Sequence, residues 1–288
     1  MMQNFALILA ILIVVSGIIS LIDILFFAKA RKFRATAAPD FQKLNKEERE
    51  RRLKPPLLAD YARSLFFVFV LVFLLRSFVV EIYRVPSGSM LPTIQLNDFL
   101  LINKFSYGIR LPIINRLWIP LGEPRRGDVM VFYYPTYPQV DYIKTVIGLP
   151  GDHISMVNKQ LYINGQPVPQ RFIQSTLEPS NANLAGLALH GPDPTLVREF
   201  SEQLGTQTHL IYTSPIVPST DFKDLVVPAG QYFVMGDNRD DSEDSRYWGF
   251  VSEDNLVGKA FMVLFSWDST QGMPRWNRIG RWLPVGGS

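Results

Sequence analysis

Two long apolar runs dominate the first eighty residues. Phe5 to Ala28, FALILAILIVVSGIISLIDILFFA, carries one charge, Asp23. As a helix rising 1.5 Å per residue it reaches roughly 36 Å, enough for a hydrocarbon core of about 30 Å. Tyr61 to Val80, YARSLFFVFVLVFLLRSFVV, is a second run of spanning length, apolar at every position from Leu65 to Leu75. A run with no polar face is not the surface helix of a soluble domain. Arg63 and Arg76 sit near its two ends, where long cationic side chains reach an interface. Both runs are predicted to span a membrane. A cleavable signal peptide is the rival for the first, and Ala28-Lys29-Ala30 offers a small-x-small site. Against it, no Lys or Arg precedes the run, which exceeds the usual signal core of about 7 to 15 residues.

After Val80 the pattern changes. Asp98–Lys104, Asp128–Tyr134, Val140–Ile147, Ile154–Val157, Leu161–Ile163, Gln231–Met235 and Val257–Trp267 are short runs rich in Val, Ile, Phe and Tyr, separated by Gly, Pro, Asn and Asp. They read as strands. Asn164-Gly165 between LYI and QPV marks a two-residue hairpin turn. Residues from about 155 to 228, with LEPSNANLAGLALHGPDPT among them, are polar, Pro-containing and weakly periodic, and read as a less regular insertion. The expected fold is mainly β: two N-terminal transmembrane helices, then a β-rich domain with an inserted lobe. The expected divisions are 1–28 (first helix), 29–60 (loop), 61–80 (second helix) and 81–288 (β domain).

Charge fixes the expected orientation. Between Lys29 and Lys54, ten Lys and Arg stand against four Asp and Glu, a net +6, while the whole chain is only +3. The remainder is slightly acidic, which argues against a nucleic-acid-binding domain. Short loops rich in Lys and Arg stay cytoplasmic. The 29–60 loop is therefore expected inside, with NKEERERRLK as a short solvated helix, and everything after Val80 outside. With no cysteine, thiol catalysis, thiolate metal sites and disulfides are excluded. His153, His190 and His209 share no metal-ligand spacing and are expected to be structural or solvent-facing. MGDNRDDSEDSRYWGF, 235 to 250, is acidic enough to suggest a calcium loop, but Arg239 and Ser242 stand where an EF-hand needs an acid and a glycine. It reads better as a rigid polar turn of Asp–Arg pairs and serine hydroxyls over Tyr247 and Trp248.

YRVPSGSMLPTI, 83 to 94, offers two serines in a Gly- and Pro-broken stretch just past the second span. A serine hydroxyl needs a base to become a nucleophile. Lysine can serve only when its charge is disfavoured, since at pH 7 and an ordinary pKa only about one in 2,500 is a free amine. In VDYIKTVIG, 140 to 148, strand alternation puts Lys144 on one face with Val140, Tyr142 and Val146. That is an apolar setting fit for such a lysine. A strand-edge lysine whose amine reaches water fits the same pattern.

PSGSMLPTI (86–94), RRGDVMVF (125–132), DYIKTVIGLPGD (141–152) and GDNRDDSEDSRYWGFV (236–251), in this order after two spans, resemble bacterial signal peptidase I, the membrane-bound Ser-Lys leader peptidases. PSGSM alone would also suit self-cleaving repressors, which lack the spans and the GDNRD box. The resemblance implies Ser89 as nucleophile and Lys144 as general base. It implies an oxyanion hole from the Ser87 hydroxyl and the Ser89 N–H, with Gly88 easing the turn between them. Ser242 would orient the lysine amine, and Asp244 and Arg246 would form a supporting ion pair. Tyr83, Val85, Ile94, Tyr142 and Ile143 would line shallow pockets for small side chains. The implied activity is removal of signal peptides after A-x-A segments, without metal, nucleotide or other cofactor. The implied partners are exported preproteins, the lipid bilayer and the translocation machinery, with the β domain on the periplasmic side of the inner membrane. Two departures stand out. A family member has a disulfide in the insertion, which this cysteine-free chain cannot form. Trp267, Trp276 and Trp282 do not align with that member's membrane-touching tryptophans, although they suit an interface by chemistry. From another class, a membrane-tethered β domain that binds peptides without cutting them, as an export chaperone does, needs the same topology but neither Ser89 nor Lys144. A penicillin-binding transpeptidase needs S-x-x-K, and no serine here has lysine three residues on.

Overall fold

A computed structural model describes residues 2–41, 44–112, 114–178 and 195–283, in two compact units that divide between Phe78 and Val79. In the first unit α1 (Met2–Ile22) runs through a π-helical turn, Asp23–Phe27, into α2 (Ala28–Thr36). The helix does not end at Ala28 as expected. AKARKFRAT is built of good helix formers, and neither Gly nor Pro intervenes before Pro39. Its continuation serves Asp23. Arg31 holds that buried carboxylate with two hydrogen bonds, Nη1 to Oδ1 at 2.8 Å and Nη2 to Oδ2 at 3.0 Å. A charge in an apolar helix is tolerable when paired in this way. The loop helix α3 (Lys46–Leu53) has no buried residue and starts on a capping box: Glu48 N–H donates to Asn45 Oδ1 at 2.9 Å, and Asn45 N–H to Glu48 Oε2 at 3.1 Å. α4 (Leu57–Leu74) begins directly after Pro56, earlier than the expected Tyr61, and passes into a second π-helical turn, Leu75–Val79. Ala6–Ala37 and Leu57–Val79 are each long and apolar enough to cross a membrane.

The second unit is mostly strand. β1 (Val80–Arg84), β2 (Asp98–Asn103), β3 (Ile109–Arg110), β4 (Leu117–Ile119), β5 (Val129–Tyr133) and β6 (Asp141–Gly148) come first. β7 (His153–Val157), β8 (Gln160–Ile163), β9 (Gln166–Pro167), β10 (Gln170–Glu178), β11 (Thr195–Leu204), β12 (Gln207–Thr213) and β13 (Phe222–Val226) follow. β14 (Gln231–Met235), the one-turn helix α5 (Ser245–Trp248), β15 (Val251–Ser252), β16 (Leu256–Asp268) and β17 (Met273–Pro274) complete it. The main sheet has the order β1-β2-β16-β5-β6-β14-β15, with β17 on β16. β1 and β6 stand apart in that order, yet Tyr83 O–H donates to the Asp141 carbonyl at 2.8 Å, so the sheet curls until they meet.

β6 is central and buried on both faces. Ile147 joins Ile154, Leu161 and Phe233 in one apolar cluster, and its neighbour Val146 joins Met130, Phe132 and Val234 in another. Adjacent strand residues face opposite ways, so each face of β6 meets a core. Lys144 itself is buried, so its amine does not reach water as the alternative reading required.

The 155–228 stretch is not irregular where it is described. β13-β7-β8-β9 form one small sheet and β10-β11-β12 another. Asn164 (φ 52°) and Gly165 (φ 76°) make the expected tight turn between β8 and β9. β10 escapes sequence reading because most of its side chains are exposed and none is buried, leaving no apolar alternation. Residues 179–194, with His190 and most of the Pro-rich run, lie outside the described residues.

Candidate active site

The connection between β1 and β2 carries the two serines. Met90 and Ile94 have no exposed surface and root the loop. Leu91 N–H donates to the Gly88 carbonyl at 3.0 Å and Ile94 N–H to the Met90 carbonyl at 2.9 Å. The turn does not rely on a left-handed glycine: Gly88 is not among the residues of positive φ. Its rigidity comes from outside. Asn238 N–H donates to the Ser89 carbonyl at 3.0 Å, and Asn238 Nδ2 to the Gly88 carbonyl at 3.2 Å. Asn238 is the third residue of the GDNRD run, and its grip on the serine loop is not legible from sequence spacing.

Opposite the loop, β6 presents Lys144. Its Nζ donates to Ser89 Oγ at 2.6 Å, and both side chains are buried. Ser87 Oγ lies 3.4 Å from Ser89 Oγ. The amine also sits 5.5 Å from the centre of the Tyr142 ring, which stacks on Tyr134. Burial pushes the Lys144 ammonium down to about 8. Asp244 pulls against that shift and Arg246 adds to it. The strand pattern placed no carboxylate beside Lys144; the acids arrive from the segment after β14.

That segment is the rigid polar turn expected. Asp244, fully buried, caps α5 and accepts from Arg246 Nε at 2.8 Å, Arg246 Nη2 at 2.8 Å, Gly236 N–H at 2.9 Å and Ser242 Oγ at 2.9 Å. Burial opposes its charge, but the Arg246 guanidinium outweighs it and holds the carboxyl below the usual range. Ser242 thus gives its hydrogen bond to Asp244, not to the lysine amine as the resemblance implied. A carboxylate is the stronger acceptor. Trp248 packs on Phe132 and Tyr134, while Tyr247 is exposed rather than tucked beneath the turn.

Of the expected pocket residues, Val85 and Ile94 have no exposed surface, Tyr83 and Ile143 are buried, and Tyr142 is half-buried. Between β1 and β6 two sheet edges are unpaired. Among the described residues β1 pairs with β2 alone, and Asp141–Lys144 pair with β5 alone, since β14 meets β6 from Thr145 onward. Among the described residues no group of His, Asp and Glu is arranged to hold a metal ion. Of the histidines, His153 is exposed beside Asp224, and His209 is buried between two acids.

Gly236 is the tightest point of the site. A Cβ there would lie 2.2 Å from Ser242 Oγ and 2.5 Å from the Ser89 carbonyl oxygen. Gly236→Ala is expected to displace the serine loop and lower kcat about 100-fold, since misplacement by about 1 Å costs on that order. Steady-state kinetics on a folded preparation check it; an unchanged kcat would show that the loop yields freely.

The family described as signal peptidase, peptidase S26, matches residues 58–267. A signal peptidase I from Pseudomonas fluorescens is 42% identical over 306 aligned positions, covering 97% of this chain and 99% of its own length. That of Pseudomonas aeruginosa is 40% identical with the same coverage, and that of Haemophilus influenzae is 32% identical over 92% of this chain and 86% of its own. With likeness of this depth over nearly its whole length, the chain belongs to the signal peptidase family, peptidase S26.

Proposed function

We infer that this protein is the membrane-bound serine endopeptidase that removes N-terminal signal peptides from exported preproteins, cutting after small residues. The observation that carries the reading is the buried contact of 2.6 Å between Lys144 Nζ and Ser89 Oγ. The two helices hold it in the bacterial inner membrane. The basic loop stays cytoplasmic and the β unit faces the periplasm. There it meets preproteins as the translocation machinery delivers them.

In this reading the extended A-x-A segment adds a strand between β1 and Asp141–Lys144, pairing with both unpaired edges. In this reading Tyr83, Val85, Ile94, Tyr142 and Ile143 line shallow pockets that accept small side chains. When Lys144 is neutral, its hydrogen bond to Ser89 reverses and Ser89 O–H becomes the donor. Lys144 takes the proton as Ser89 Oγ attacks the carbonyl. The Ser87 hydroxyl and the Ser89 N–H receive the developing oxyanion, about 3 kcal/mol of transition-state stabilisation for each donor. The ammonium then protonates the departing amine, and the peptide C–N bond breaks to leave an acyl-enzyme. A water that gives its proton to Lys144 hydrolyses the ester and restores Ser89. Asp244 and Arg246 hold the turn and, with burial, tune the base.

The free enzyme is active only with Lys144 deprotonated, so kcat/KM is expected to rise with pH through about 8. A pH–rate profile with a short A-x-A peptide tests this, together with a serine-directed acylating probe. Labelling of Ser89 excludes a non-cutting, chaperone-like domain. A flat profile from pH 6 to about 9, or absence of labelling, would overturn the assignment.

A further inference from the structure

His209 does not touch the Ser89–Lys144 pair, yet buried polar contacts lead from it to Thr145, the residue after Lys144 on β6. On one side His209 Nε2 lies 3.1 Å from Glu202 Oε2. On the other, Nδ1 lies 3.1 Å from Asp237 Oδ1. The same Asp237 oxygen accepts from Thr145 Oγ1 at 2.7 Å, one residue past Lys144 on β6. Glu202 is gripped from behind by both terminal nitrogens of Arg239. Glu202, His209, Asp237, Thr145 and Arg239 are all buried. The charged groups facing the ring are thus Glu202 from β11 and Asp237 from the segment after β14. Arg239 lies beyond Glu202, and Lys144 lies within the field of Asp237.

A neutral imidazole has one N–H and cannot donate to two carboxylates. Both ring nitrogens face an ionised acid here, so the arrangement calls for the imidazolium. The backbone runs the same way. Tyr212 N–H on β12 donates to the Asp237 carbonyl at 2.8 Å, and Arg239 N–H donates back to the Tyr212 carbonyl at 2.9 Å. Asn238, between them, holds the serine loop through the Ser89 and Gly88 carbonyls.

We propose that His209 is a positioning residue for the Ser89–Lys144 pair: clamped as an imidazolium between Glu202 and Asp237, it pins the inserted lobe to the Asp237–Arg239 segment and offsets the Asp237 charge beside Lys144. Its kinetic consequences rest on the peptidase reading; its charge state does not. Burial disfavours the ring's charge, but the two acids outweigh burial and raise the group to about 9. Above that pH the clamp opens, and activity falls on the alkaline side.

Nitrogen NMR of histidine-labelled full chain in detergent, assigned with His153→Gln and His190→Gln, tests the charge without touching the site. Both ring nitrogens of His209 are expected to carry protons at pH 7 and to lose one near pH 9. A neutral ring at pH 7 would overturn the proposal even if the enzyme cuts as described. His209→Gln tests the consequence. It is expected to lower kcat about tenfold with KM within about twofold, to remove the alkaline limb, and to move the acidic limb upward, since the unshielded Asp237 favours the Lys144 ammonium. A folded His209→Gln enzyme with kcat and both limbs unchanged would overturn it too.

Discussion

Lys144→Met is expected to abolish processing while making the β unit harder to unfold at neutral pH. Without its base, Ser89 keeps its proton, and loss of one member of a nucleophile–base pair costs about 10,000-fold or more in kcat. Stability moves the other way. In the folded chain the amine titrates at about 8, against 10.5 for an exposed lysine. The folded state therefore binds fewer protons than the unfolded state between these values. The penalty is fully present below about pH 8 and disappears as pH rises past about 10.5. It amounts to about 3 kcal/mol at pH 7. Methionine fills similar space without a charge to desolvate. It forgoes the bond to Ser89, worth about 1 kcal/mol. The net gain of about 2 kcal/mol corresponds to a rise of about 4–8 °C in Tm for a unit of this size. Thermal unfolding of both proteins at pH 7 and pH 10.5 separates this from ordinary repacking. The advantage is expected to shrink at the higher pH. A variant that still processes preprotein at the normal rate, or a stability change independent of pH, would contradict the buried-base account.

What the sequence made legible followed burial. Strands β2, β5, β6, β7, β8, β14 and β16 appear within a residue or two of the expected bounds, because each hides one face or both. β10 was illegible for the opposite reason: it is an edge strand with most side chains in solvent, and only pairing with β11 makes it a strand. The helix ends were misplaced where basic side chains continue a helix past its apolar core, as Lys29 to Arg34 do. In the site, Ser89 and Lys144 could be found by motif and strand face. The groups that set their environment could not, since they arrive from segments distant in sequence. Asp244 is a hundred residues from Lys144. His209 looked isolated until β11 and the GDNRD run supplied an acid on each side. Ser242 gives its hydroxyl proton to Asp244, a carboxylate two residues on, a partner that the resemblance did not name.

Asp244→Ala is expected to unfold the β unit more readily by about 3–5 kcal/mol, the usual result of stranding one member of a buried ion pair. Arg246 would keep its contact with the Arg239 carbonyl but lose both bonds to a carboxylate. Gly236 N–H and Ser242 Oγ would lose their acceptor as well, and these two flank the serine loop. The kinetic signature has a definite sign. Asp244 favours the Lys144 ammonium and Arg246 disfavours it, so removing the acid alone leaves the amine easier to deprotonate. The acidic limb of the rate profile therefore moves below 8, opposite to the shift expected for His209→Gln, while kcat falls through the loosened loop. Asp244 lends its stability above the ordinary carboxylate range near pH 4, and loses it as pH falls through its lowered folded value. Removing Arg246 as well should restore part of the loss, because the stranded charge, not the missing bond, is the larger cost. Urea unfolding of the parent, Asp244→Ala, Arg246→Met and the double variant measures this coupling directly. If the double variant is less stable than Asp244→Ala by the full effect of Arg246→Met alone, the two side chains act independently and the turn is held by something other than their charges.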